Sequence, residues 1–242
     1  MNDEHLDVTK YIYDDNIGRV QLIQHWGTDA TIVKSARVSF GNDSDNEELS
    51  DKDKRLIKYL IKHRHTSTLE HCGVTFKFVV PLFIRSQHHR HRTWSYNEIS
   101  RRYTDINLQF YCPAAFRTQH KSNRQASNAK NLINPTVQYA LSKTTAKKAL
   151  QEHHNLSLEL YNSLIHQGVC REQARGVLPQ NTYTEYYGTV NLNNLLKFID
   201  LRTHQGAQWE IQKVAKACLV IAEDLWPVAI NAWTSCQQEL VD

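Results

Sequence analysis

Residues 74–92 read VTFKFVVPLFIRSQHHRHR, and this stretch decides the fold class. Val74, Phe76, Phe78 and Val80 alternate with Thr75, Lys77 and Val79, the period of a β-strand. Pro81 closes that strand, and because proline suits the first position of a helix, PLFIRSQHHRHR reads as the helix that follows. Upstream, Leu56, Ile57, Leu60 and Ile61 recur at helical spacing behind a Ser/Asp-led start, giving a capped amphipathic helix over 50–63. Downstream, Leu108 to Cys112 reads as a short strand before Pro113. The polar, aperiodic run from Arg117 to Asn134 reads as a surface loop or lid.

From Asn134 and Pro135 to Gly168, a long helical pattern runs through Val137, Leu141, Leu156, Leu160 and Leu164, with a solvated, His-rich middle. A short helix over Arg171–Leu178, a β-prone run YTEYYGTV and a helix over Leu192–Thr203 capped by Asn191 come next. A final helix carries Trp209, Val214, Cys218 and Ala222 on one side and runs to Pro227. The expected architecture is α+β (mixed α/β): one domain over 1–242, an antiparallel sheet packed with several helices including one long helix, and no Rossmann motif.

Bulk properties narrow the function. The 242 residues are 40% hydrophobic, enough for a buried core. No apolar run approaches the roughly 18–20 residues of a membrane span, and MNDEHLDVTK has no leader character, so a soluble, cytoplasmic protein with no membrane partner is expected. Cys72, Cys112, Cys170, Cys218 and Cys236 are scattered singly, which fits reduced thiols better than a disulfide framework. A net charge of +4 suits anionic small molecules and falls short of a dedicated nucleic-acid binder, so no nucleic-acid partner is expected. None of the eight glycines falls in a GxG or near a GK[ST], which argues against both a dinucleotide turn and a P-loop. Any nucleotide must then be held by arginines and side-chain hydroxyls.

RSQHHRHRTWSYNEISRRY, residues 85–103, crowds arginines and histidines together with Glu98, Asn97, serines and aromatics, a mixture that no core-building role explains. On a continuous helix Arg85, His88, His89 and Arg92 would share one face and Gln87, Arg90 and His91 the other. The planar guanidinium fork is the natural partner of phosphate. SYNEIS adds groups able to read a pyrimidine or a ribose. Three alternatives stand beside that reading. One is a solvated basic helix paired to nearby acids. Another is a single-stranded nucleic-acid grip built from arginines and stacked aromatics. The third is a metal site using His63 with His65 or His88 with His91, although the intervening arginines make that electrostatically poor.

Arg90-His91-Arg92, seven intervening residues and Ser100 resemble the signature of the flavin-dependent thymidylate synthases. ARVSF (36–40), HRHTSTLEH (63–71), REQARGVLPQNTYT (171–184) and TVNLNNLLKFIDLRTHQGAQWEI (189–211) resemble that family's other blocks, in the same order. The resemblance implies reductive methylation of dUMP to dTMP, with FAD as cofactor and with NADPH and 5,10-methylenetetrahydrofolate as co-substrates. It also implies a homotetramer whose sites are shared between subunits.

By the same resemblance, Gln87, Arg90, Glu98, Ser100, Arg101, Arg102, Arg175 and Arg202 line the dUMP site. Ser39, His65, Ser67, Arg90, His91, Arg92, Glu98, Asn191, Asn193 and Lys197 fall to FAD, and Glu70 matches a further polar position there. Arg202 takes the catalytic role of favouring ionisation of the pyrimidine N3. Ser100 reads as a phosphate or pyrimidine contact, because no general base adjoins it to make a nucleophile. Lys197 departs from the asparagine or histidine more usual in the family. No metal is expected, and no cysteine lies in a block that would supply the nucleophile of the other thymidylate synthase class.

Overall fold

The computed structural model of the chain describes residues 8–41 and 48–238. The first seven residues of the N-terminal stretch read for a leader lie outside them. At the centre is a five-stranded antiparallel sheet of β1 (Thr9–Tyr11), β2 (Arg19–Trp26), β3 (Gly73–Pro81), β9 (Tyr183–Asn191) and β4 (Ser95–Glu98), in the order β1-β2-β3-β9-β4. Between β4 and β9 come β5 (Phe116–Gln119), β6 (Ser127–Ile133), β7 (Thr136–Tyr139) and β8 (Ser142–Thr145), which form two separate hairpins. The helices are α1 (Asp29–Arg37), α2 (Asp51–Lys62), α3 (Leu82–His88), α4 (Ala146–His166), α5 (Arg171–Ala174), α6 (Leu192–Thr203), α7 (Trp209–Leu225) and α8 (Pro227–Gln238).

The opening stretch does form strand then helix, with β3 at the middle of the sheet. Its register pairs Phe76 with Leu22 on one side and with Gly188 on the other. Every residue of β3 except Lys77 is buried, so the alternation seen in the sequence marks two covered faces rather than one wet and one dry. Gly188 is required where it sits: a Cβ there would lie 2.9 Å from the Phe78 ring and 3.1 Å from Trp94. One hydrophobic cluster runs from Ile12 to Ile230. Burying a side chain such as Phe76, Phe78 or Trp226 contributes about 1.5–3 kcal/mol.

Capping explains several element boundaries. In α2, Ser50 and Asp53 form a reciprocal box, with the Asp53 amide donating to Ser50 Oγ and the Ser50 amide to Asp53 Oδ2. Asn191 caps α6 by accepting from the Asn194 amide at 2.9 Å, where the sequence put it. The helix read up to Pro227 is α7, which ends at Leu225, but it is not the final one, because Pro227 opens α8. The first amides of α8, Val228 and Ala229, both donate to the buried carboxylate of Asp29 at 2.9 Å, a cap delivered from the far end of the chain.

Other expectations are corrected. Helix α3 stops at His88, so Arg90, His91 and Arg92 lie on a turn and the two-face arrangement fails. The stop has a clear cause: the Tyr96 hydroxyl hydrogen-bonds to the carbonyls of His88 (3.0 Å) and His91 (3.1 Å), taking up groups that a longer helix would use. Leu108–Cys112 is not a strand and contributes one bridge, Phe110 to Thr182.

The 117–134 segment is not a loop but the β5–β6 hairpin. The long helix begins only at Ala146, capped by Thr145, and Val137 and Leu141 belong to the β7–β8 hairpin before it. Its His-rich middle is half buried, since His154 stacks on Phe110 at 4.9 Å. Strands β1 and β2 and helix α1 have no counterpart in the sequence reading. No helix among the described residues is long and apolar enough to cross a membrane.

Candidate active site

The site is built where β3 hands over to α3 and where α6 ends beside it. Arg202, on the last turn of α6, donates from Nε to His91 Nε2 at 2.9 Å and from a terminal nitrogen to the Gln87 carbonyl at 3.3 Å. For His91 to accept at Nε2 its ring must be neutral with the proton on Nδ1. Burial, and then the Arg202 charge, push the His91 pKa down to about 4, so the neutral ring persists at neutral pH. Burial also draws the Arg202 guanidinium's pKa below its ordinary value.

Behind this pair lies an aromatic bed. His88 is fully buried, 4.6 Å from both Trp94 and Phe198, with its Nδ1 2.7 Å from the Tyr186 hydroxyl. Burial holds His88 well below the usual imidazole pKa, followed by the effect of neighbouring His91 and His89. His88 therefore supports the turn from beneath and is not available as a ligand on its face.

Above the bed, Arg90 and Arg92 are exposed, and neither guanidinium has a hydrogen-bond or ion-pair partner among the described residues. Arg175, at the end of α5, is in the same condition. Uncompensated arginines on a turn are competent to take phosphate oxygens.

Glu98 on the edge strand β4 accepts from Arg85 Nε (3.1 Å) and the Thr184 hydroxyl (2.6 Å). Ser100 opens a turn in which its hydroxyl accepts the Arg102 amide. Arg101 donates to the backbone carbonyls of Ile106 (2.7 Å) and Tyr183 (3.3 Å), a structural use of its charge, while its Nε is buried without a partner. Arg102 pairs with Glu172 of α5 at 3.3 Å, tying the strand-edge run to the segment that carries Arg175.

A second locus lies on the other face of α6. Asn193 is buried and donates to Glu70 at 2.8 Å. With Lys197, Arg64 and Thr66 it lines a cavity of about 540 Å³ between α6, α8 and the 3-10 turn over Thr66–His71. Ser67 lies within that turn and His65 just before it, both exposed. Ser39 sits exposed on the 3-10 turn after α1. Among the described residues, no hydrogen bond joins Ser39, His65 or Ser67 to the Arg202 group. Gln87, His91 and Arg202 are thus brought together directly, while the other predicted residues form separate clusters.

Four residues, Gln208, Glu210, Arg117 and Tyr111, escaped the sequence reading of the site. The Gln87 side chain donates to Gln208, Gln208 donates to Glu210 at 3.0 Å, and Glu210 accepts from Arg117 at 2.6 Å and from the Tyr111 hydroxyl at 3.2 Å. The available signal was Glu210 itself, a charge flanked by Trp209 and Ile211 on a core-facing helix, where an acid is not buried unless paired. The five cysteines are unpaired, and among the described residues no group of three His, Cys, Asp or Glu side chains is placed to hold a metal.

Comparison with known proteins agrees with this geometry. Residues 21–228 match the family described as thymidylate synthase complementing protein. A flavin-dependent thymidylate synthase of Thermus thermophilus is 40% identical over 227 residues, covering 93% of this chain and 77% of that protein. The flavin-dependent thymidylate synthase of Thermotoga neapolitana is 36% identical over 219 residues, covering 89% and 90%. Among solved structures, the UMP/dUMP methylase PolB from Streptomyces cacaoi bound with 5-Br dUMP superposes with a TM-score of 0.74 at 32% identity, covering 89% of this chain and 94% of that one. An arginine-bearing turn over an aromatic bed, an arginine held by a neutral histidine and these relatives lead to one assignment: the chain belongs to the flavin-dependent thymidylate synthase family.

Proposed function

We propose that Arg202 activates the nucleotide in the reaction this chain catalyses, the reductive methylation of dUMP to dTMP with FAD as cofactor and NADPH and 5,10-methylenetetrahydrofolate as co-substrates. The observation that carries the proposal is the clamp on Arg202 by neutral His91 and the Gln87 carbonyl, at the root of a turn whose other arginines have no protein partner among the described residues. A fixed guanidinium against the pyrimidine N3, or the carbonyl beside it, stabilises the anionic ring. Electron density then rises at C5, which bonds to the donated one-carbon unit and later gives up its proton. FAD, held by the residues assigned below and reduced by NADPH, would supply the reducing equivalent that turns the transferred one-carbon unit into a methyl group.

Two of the five cysteines are unsuited to act as a nucleophile. Cys72 and Cys218 are buried, and burial pushes the Cys72 thiol up to about 12 and the Cys218 thiol higher still.

The chain's own residues suit a flavin dinucleotide and a nucleotide monophosphate, both anionic. Among the described residues, Arg90 and Arg92 offer unpaired forks and the buried Arg101 Nε lacks an acceptor. For FAD we assign Arg90, His91 and Arg92 at the turn, Asn193 and Lys197 on α6, His65 and Ser67 beside the cavity, and Ser39 and Glu98 at the periphery. Asn191 joins them through its amide nitrogen, because its oxygen caps α6. For dUMP we assign Gln87, Arg90, Arg175 and Arg202, together with the run Glu98, Ser100, Arg101 and Arg102, contributed by an adjoining subunit of a homotetramer. The protein is assigned to the cytoplasm.

The test is dTMP formation from dUMP. Arg202→Ala should lower kcat roughly 100- to 1,000-fold, the usual cost of one preorganised charge-stabilising donor, while FAD remains bound. Full activity in that variant would overturn the assignment. UMP run beside dUMP would show whether the chain shares the wider substrate range named for PolB.

A further inference from the structure

We propose that Glu210 and Gln208 are positioning residues that fix which end of the Gln87 amide faces the nucleotide. The inference deepens the dUMP reading above and rests on it.

Glu210 is 3% exposed, yet its carboxylate gathers three donors: an Arg117 terminal nitrogen, the Tyr111 hydroxyl and Gln208 Nε2. A carboxylate paired with a guanidinium only accepts hydrogen bonds. Gln208 must therefore turn its NH₂ towards Glu210, which leaves its carbonyl pointing outward. That carbonyl takes the Gln87 Nε2 proton. The polarity set by one buried charge thus passes through two amides in series, and no protein donor among the described residues engages Gln87 Oε1.

The placement of Gln208 supports this use. It stands at the N-cap of α7, where a short polar side chain would serve the helix, but its side chain makes no cap hydrogen bond. The Gln87 backbone carbonyl holds Arg202, so the same residue carries both the catalytic guanidinium and the oriented amide. With one N–H of its amide held by Gln208, Gln87 presents its carbonyl as an acceptor beside the donor-rich Arg202. Such an acceptor takes a hydrogen bond from a donor of the nucleotide that stays protonated while N3 ionises, the sugar hydroxyl. Without Gln208 the amide could rotate and present NH₂ next to a cation.

A double-mutant cycle tests the coupling. Gln208→Met keeps the length of the side chain and removes both hydrogen bonds. It should raise the KM for dUMP by roughly 3- to 10-fold, the range of one neutral hydrogen bond, with kcat changed less. Gln87→Met should show a similar rise, and the double variant should be no worse than Gln87→Met alone. A Gln208→Met penalty that persists undiminished in the Gln87→Met background would overturn the proposal, because a merely structural defect adds.

Should Gln208→Met fail to fold, Gln208→Asn retains the amide one methylene short and enters the same cycle. Calorimetry with dUMP separates the two levels of the argument. Wild-type protein that binds no dUMP overturns both, whereas tight wild-type binding with an additive cycle overturns only the relay.

Discussion

Burial, with the Arg202 charge beside it, sets the state of His91. The histidine is held neutral so that it can accept from the arginine, and the arginine is held in place because the histidine accepts. Arg202→Lys should fall well short of rescue, because an ammonium cannot reach His91 Nε2 and the Gln87 carbonyl with the same planar fork. Steady-state kinetics on Arg202→Lys beside Arg202→Ala would check this, and near-complete rescue by lysine would contradict it.

The buried histidines also predict a pH dependence of stability. His154 stays neutral in the folded chain down to about 4, through burial first and then nearby His153, whereas an unfolded imidazole takes its proton near 6.5. Between those values the unfolded chain binds the extra proton. The stabilisation is therefore complete above about pH 6.5 and is lost as pH falls towards 4. His91 and His88 act in the same direction. Thermal midpoints should drop over that window, and His154→Phe, which keeps the stack on Phe110, should drop less steeply. An unchanged slope would remove His154 from the account.

At the scale of elements, the β5–β6 hairpin hangs on one buried ion pair. Arg117 reaches Glu210 at 2.6 Å and lies over the Trp209 ring at 5.0 Å. Arg117→Ala leaves a buried carboxylate without its cation, which costs about 3–5 kcal/mol. The thermal midpoint should fall by on the order of 10 °C; a loss below about 2 °C, within the range of a single surface contact, would mean that the hairpin docks by other contacts.

Which elements were legible follows from the same physics. Helices α2 and α6 could be read with their caps because Ser50 and Asn191 act locally, within three residues. Strand β3 was legible from its alternation. The two hairpins were not, because their strands are mostly exposed and carry no apolar period: β6 is exposed along its whole length. Val137 and Leu141 fall in phase with the helix that follows, which moves its apparent start. Helix α8 beyond Pro227 was not legible because Asp29, which accepts its Val228 and Ala229 amides, is distant in sequence. The Arg202 group was legible through its motif, whereas the Glu210 relay spans contacts 93 and 121 residues apart and leaves no local pattern.

For the whole molecule, the proposed homotetramer would engage groups that a single chain leaves exposed. Arg90, Arg92 and Arg175 project without partners among the described residues, and Leu156 and Leu160 on α4 and Tyr103 near the site remain exposed. Light scattering should give a mass four times the 28.2 kDa chain. dTMP formation should disappear when dilution dissociates the assembly; an active monomer would contradict shared sites.

The most direct test of the central claim is the absorbance spectrum of purified protein after FAD is added and the excess removed, followed by NADPH under anaerobic conditions with and without dUMP. The account predicts a retained flavin band that NADPH bleaches. A protein that never retains flavin would contradict it and return the arginine-rich turn to the single-stranded nucleic-acid reading.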